Sequence, residues 1–140
     1  MNLLQRENVQ ICSSAADWRE AIRSSCRLLE EHGYIEERYK EEIIGNLEKM
    51  GPYILLAENI ALPHARPEQG AIRTQLGVTL FREPVVFENG EGVQLFITLA
   101  AADSESHLEV LMQISELLSD EEQVERMIHS TDEDELFHFF

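Results

Sequence analysis

Five histidines, two cysteines and 27 acidic side chains are the groups with which this 140-residue chain could do chemistry. Spacing singles out one segment, Gly51 to Glu68, which reads G-P-Y-I-L-L-A-E-N-I-A-L-P-H-A-R-P-E. In it His64 stands between Pro63 and Arg66-Pro67, directly after a short apolar run. Two prolines within five residues fix φ and remove backbone donors, so the segment is expected to be a rigid loop, neither helix nor central strand. Such a loop at a strand end holds a reactive side chain in one orientation. Arg66, two residues on, carries a planar fork suited to an anion brought to the imidazole.

The chemistry this arrangement suits is phosphoryl transfer onto imidazole. The accepting nitrogen must be unprotonated, which histidine's ordinary pKa of about 6.5 allows near neutral pH. The other ring nitrogen must then donate to a fixed acceptor, and backbone N–H groups or a cation should meet the charge spread over the transferring oxygens. On residues alone, a structural histidine or a lone metal ligand explains His64 equally well.

His107, in S-E-S-H-L-E-V-L-M-Q-I, opens a helix whose apolar positions read as Leu108, Leu111 and Met112. A helix N-terminus offers free N–H groups and a positive dipole to an anion. A histidine that merely caps the helix is the alternative. A zinc site from His64, His107 and Asp103 or Glu109 ranks well below the phosphoryl-transfer reading, which also explains the proline-framed loop, and Cys12 and Cys26 have neither CxxC spacing nor histidines beside them. No metal and no cofactor is therefore expected. Nucleophile-elbow, phosphate-loop and H-E-x-x-H patterns do not occur.

The elements that must position these residues follow from periodicity. Residues 1–12 read as a leading segment in which Val9 and Ile11 end in a strand. Ser14 and Asp17 form an S-x-x-D cap for a helix carrying Trp18, Ile22, Cys26 and Leu29, which stops near Gly33. A second helix is predicted from Glu36 to Met50, ended by Gly51-Pro52. Short strands are predicted at 53–56, 60–62, 76–81 and 93–100, parted by turns at Glu58-Asn59, 67–70 and 89–92. Helices return after Asp103, the next one capped by Asp120, with a last turn or helix over 132–140. This order predicts an α/β fold, a mixed β-sheet sandwiched between α-helices on both faces. The whole of 1–140 reads as a single domain.

Composition narrows the function further. A formal net charge of −16 repels nucleic acid and anionic lipid, and fits a protein that must stay soluble or one that docks on a partner with a basic face. The longest apolar stretches fall well short of a membrane span, and Met1 to Asn8 lacks an apolar signal region, so a cytoplasmic protein is expected.

The stretch I-A-L-P-H-A-R-P-E resembles the active-site motif of the mannitol/fructose class of enzyme IIA domains in the phosphoenolpyruvate-dependent phosphotransferase system. With A-R-P-E after the histidine it is most similar to ascorbate-type members. The second histidine, opening a leucine-rich helix at His107-Leu108, extends the resemblance over nearly the whole chain. The resemblance implies that His64 accepts a phosphoryl group from HPr, in the family on Nε2, and donates it to a cysteine of enzyme IIB. It implies that His107 lies beside His64 and helps hold that group, and that the protein associates with a membrane enzyme IIC complex without inserting itself. A system for ascorbate or a related sugar acid or pentitol is implied. Mannitol-type members carry an arginine where this chain has Glu48 and Lys49, which leaves Arg66 or Lys49 as the phosphate-binding cation and argues against a plain mannitol role. A regulatory phosphoacceptor domain, of a transcriptional activator or nitrogen-type regulator, is the alternative.

Overall fold

Strands β4 (Gln75–Val86) and β5 (Gly92–Ala100) are buried on both faces over most of their length, which forces them into the middle of a sheet. The computed structural model describes residues 3–140; Met1 and Asn2, where the leading-segment and signal readings begin, lie outside the described residues. Around the central pair lie β1 (Val9–Cys12), β2 (Leu55–Ala57) and β3 (Ile60–Ala61), in the order β1-β4-β5-β3-β2. β1 runs parallel to β4 and β3 parallel to β5, while β4–β5 and β2–β3 are antiparallel. The sheet is mixed, as expected.

Alternation along the strands divides the core in two. Leu76, Val78 and Leu80 of β4 and Leu95, Ile97 and Leu99 of β5 pack with α3 (Ser104–Leu117), α4 (Glu121–Ile128) and α5 (Glu133–His138). Phe81, Phe96 and Ala100 point the other way, into a cluster with α1 (Trp18–Glu31) and α2 (Arg38–Met50). Helices thus cover both faces. On the α1 side the approach is close: a Cβ on Gly77 of β4 would stand 3.3 Å from the Leu29 side chain.

Several boundaries differ from the sequence reading, each for a local reason. The cap of α1 is Asp17 itself, which accepts from the Glu20 amide at 2.9 Å, so Ser14 lies outside the helix. The strand expected at 53–56 starts at Leu55, because the Gly51-Pro52 turn extends through Tyr53, whose amide donates to the Gly51 carbonyl. β4 runs on to Val86, past a register shift between Leu80 and Val85 that accommodates Pro84. In α3 the buried residues are Val110 and Ile114, whereas Leu108 and Met112 are 61% and 66% exposed. The phase of that helix is therefore rotated from the one read from its leucines.

Both cysteines are free, Cys26 buried in α1 and Cys12 half-buried in β1. Burial pushes the Cys26 thiol up to about 12 and raises that of Cys12.

Candidate functional site

Residues 62–66 leave β3 and are tied down from three directions. The Leu62 amide donates to the Ile54 carbonyl at 2.7 Å, and the Leu99 amide of β5 donates to the Pro63 carbonyl at 2.9 Å. From α2 comes Tyr39, fully buried, whose hydroxyl donates to the Leu99 carbonyl at 2.8 Å and accepts from the Ala65 amide at 3.0 Å. Gly51, at φ 79, lets α2 end in a left-handed residue and brings Tyr53 round to the loop. The Tyr53 hydroxyl donates to the His64 carbonyl, and its ring meets the imidazole edge-on with centroids 5.1 Å apart. Prolines, strand and two tyrosines together make the rigid loop the sequence calls for.

His64 Nδ1 lies 2.7 Å from the Leu62 carbonyl oxygen. A carbonyl can only accept, so Nδ1 carries the hydrogen and a neutral ring keeps its lone pair on Nε2. Burial lowers the proton affinity of His64 and the neighbouring His107 lowers it further, against the opposing pull of the Leu62 carbonyl. The imidazole is therefore neutral at pH 7.

The structure brings the two sequence-predicted histidines together. The His107 ring centroid is 5.3 Å from that of His64, with the planes inclined at 62°. His107 occupies the first turn of α3. The cap there is Asp103, whose carboxylate accepts from the Ser106 amide at 2.7 Å and is held by that bond below the usual carboxylate range. One N–H of this helix end is thus already satisfied, and the imidazole itself is what α3 presents to His64.

The two rings line a cleft of about 660 Å³. Arg66 and Lys49 both line it. Arg66 is largely exposed and its guanidinium pairs with Glu68 at 3.1 Å. Lys49, exposed in the last turn of α2, makes no ion pair among the described residues. For the metal alternative, Asp103 is engaged as a cap and Glu109 lines a different cleft. Among the described residues there is no group of three or more His, Cys, Asp or Glu placed to hold a metal ion. None of the described helices is long and apolar enough to cross a membrane.

Sequence reasoning missed the residues that brace the site: Tyr39, Tyr53, Asn46 and Gln69. Gln69 is nearly buried and fully bonded. Its Oε1 accepts from the Arg66 amide and from Asn46 Nδ2, both at 2.9 Å, and its Nε2 donates to Glu42 at 3.1 Å and to Asn46 Oδ1 at 3.2 Å. A signal existed for it: Pro67 at a first helical position with a glutamine two residues later is a helix-start pattern, and Pro67–Gln69 form a short 3₁₀ turn. Tyr39 and Tyr53 carry no comparable local signal, since their partners are 26 and 11 residues away.

The sequence and fold have counterparts among known proteins. Residues 2–140 match the family model for the phosphoenolpyruvate-dependent sugar phosphotransferase system, EIIA 2. The chain is 40% identical to the mannitol-specific cryptic phosphotransferase enzyme IIA component of Escherichia coli (strain K12), over 92% of this chain and 88% of the relative. A solution structure of the mannitol-specific cryptic enzyme IIA from Escherichia coli has a TM-score of 0.92 at 37% identity, over 99% of this chain and 95% of that one. Identity to the ascorbate-specific EIIA component of the same strain is 33%, over 90% and 84% of the two chains. Enzyme IIA in the complex of mannitol enzyme IIA with phosphorylated mannitol enzyme IIB from Escherichia coli has a TM-score of 0.85 at 31% identity, covering 97% and 95%.

Proposed function

The chain belongs to the EIIA 2 family of the phosphoenolpyruvate-dependent sugar phosphotransferase system, and on that premise we propose that it is a cytoplasmic phosphocarrier, taking a phosphoryl group from HPr on His64 and handing it to a cysteine of an enzyme IIB. The Nε2 lone pair attacks phosphorus, and the bond between phosphorus and the donor atom breaks, its electron pair leaving with the donor. In the second step the enzyme IIB thiolate attacks the same phosphorus, and the P–N bond to His64 returns its pair to Nε2. The complex formed by the mannitol-type relative supports enzyme IIB as the acceptor. His107 stands next to His64 to donate to the phosphoryl oxygens, and Lys49 or Arg66 supplies the cation across the cleft.

The observation that carries the reading is the 2.7 Å contact between Nδ1 and the Leu62 carbonyl. It dedicates one ring nitrogen to orientation and leaves the other free in a neutral, half-buried imidazole.

For the sugar, the A-R-P-E continuation and the Glu48-Lys49 pair favour an ascorbate, sugar-acid or pentitol system. The 40% identity to a mannitol-specific cryptic relative pulls toward mannitol. Uptake assays with each sugar decide between them.

The test is phosphoryl transfer from phosphoenolpyruvate through enzyme I and HPr, read by intact mass and acid lability, with His64→Ala alongside. One acid-labile phosphoryl group on the wild type and none on a folded variant is expected. A folded His64→Ala protein that still takes up phosphate overturns the assignment.

A further inference from the structure

Helix α2 borders the cleft with Glu42, Gly45, Asn46 and Lys49, spaced i, i+3, i+4 and i+7 along one face. Gly45 is the residue of this row that the fold does not explain. Its φ is not in the left-handed region, where Gly33, Gly51, Gly70 and Gly90 lie. It sits in mid-helix, where glycine is less stable than alanine. A Cβ built on it meets no heavy atom within 4 Å, in contrast to Gly77, where Leu29 lies against the backbone. Neither backbone conformation nor packing therefore calls for glycine.

What remains is the cleft itself, into whose open volume a side chain at 45 would project. The wall on either side of Gly45 is fixed. Glu42 and Asn46 are both hydrogen-bonded to the nearly buried Gln69, so the helix face is held in place against the loop that carries His64. The chain's net charge of −16 fits a protein with a basic face as the visitor.

We propose that Gly45 is a specificity-determining residue: its missing side chain keeps open the part of the His64 cleft that a basic-faced partner protein fills with the segment bearing its phosphoryl group. This inference rests on the phosphocarrier reading above. It makes an unusual demand of one position, that the residue best for the helix is worse for the reaction.

The experiment compares wild type, Gly45→Ala and Gly45→Leu in thermal unfolding and in phosphorylation by two donors, HPr and the small molecule phosphoramidate. Gly45→Ala is expected to raise the melting temperature by about 2–4 °C, as a mid-helix glycine replaced without clash should in a domain of this size. The KM for HPr is expected to rise in both variants, by about tenfold or more for Gly45→Leu, where the inserted segment is displaced. Phosphoramidate needs no such room, and its rate should stay at the wild-type value. Wild-type KM for HPr in both variants overturns the inference and leaves the phosphocarrier reading standing. A lowered melting temperature in Gly45→Ala also overturns it, because the fold would then require the glycine. A wild-type protein phosphorylated by neither donor overturns the phosphocarrier reading and this inference with it.

Discussion

On the α2 side of the cleft, Tyr39, Ile43, Ile44 and Leu47 are buried and Gln69 ties the helix face to the His64 loop. On the α3 side, Val110 and Ile114 are the buried residues of a 14-residue helix, and Leu108 and Met112 face outward. His64, the proposed nucleophile, is thus mounted on the firmly packed side, and its neighbour His107 on the lightly seated one. The contrast separates two needs of a group-transfer site. One ring must be aimed once and for all, while the surface around its neighbour must stay open to an incoming protein.

The largest effect that would sharpen this contrast is expected from Tyr39→Phe. The ring still fills the core, but the buried Ala65 amide and Leu99 carbonyl each lose a partner, at a cost of about 1–3 kcal/mol. Urea unfolding should register that loss and phosphoryl acceptance should slow with it; wild-type values for both would mean that α2 does not aim His64. A smaller loss of stability is expected from Asp103→Ala, which removes the α3 cap. In that variant transfer onward from His64 should slow, while acceptance of the phosphoryl group, which the Tyr39 variant slows, stays near the wild-type rate. If unfolding and transfer are both unchanged, the α3 end needs no cap to hold His107.

The smallest effect is in pH dependence. Because the folded state lowers the proton affinity of His64, the unfolded chain takes up a proton below histidine's ordinary value of about 6.5 that the folded chain refuses. Stability should therefore fall as pH drops through that value, and His64→Gln should flatten the slope between pH 7.5 and 5.5 in paired urea titrations. An equally steep slope in the variant would mean that His64 is not held neutral by its burial.

How far these features were legible in the sequence depends on the range of the interaction. The proline-framed loop, the two histidines and the two-faced apolar strands are local signals, and the structure bears out the fold they imply. The α3 phase was not legible. Leu108, Val110, Leu111, Met112, Ile114, Leu117 and Leu118 put apolar residues on more than one face, so periodicity alone selects no buried stripe. Tyr53 was read as the start of a strand because its neighbours are apolar and β-prone, although its use is a hydroxyl reaching the His64 carbonyl. The strand read at 76–81 was too short for a similar reason: a register shift carries β4 past Pro84 to Val86, which no local pattern marks.

The buried state of the two thiols has a chemoselective consequence. A thiolate, not a thiol, attacks phosphorus, and the ring nitrogen of His64 is the better nucleophile wherever the sulfur keeps its proton. With Cys26 pushed up to about 12 and Cys12 also raised, both sulfurs stay protonated at neutral pH. If the chain passes its phosphoryl group to sulfur as proposed, it therefore carries no internal sulfur sink for it.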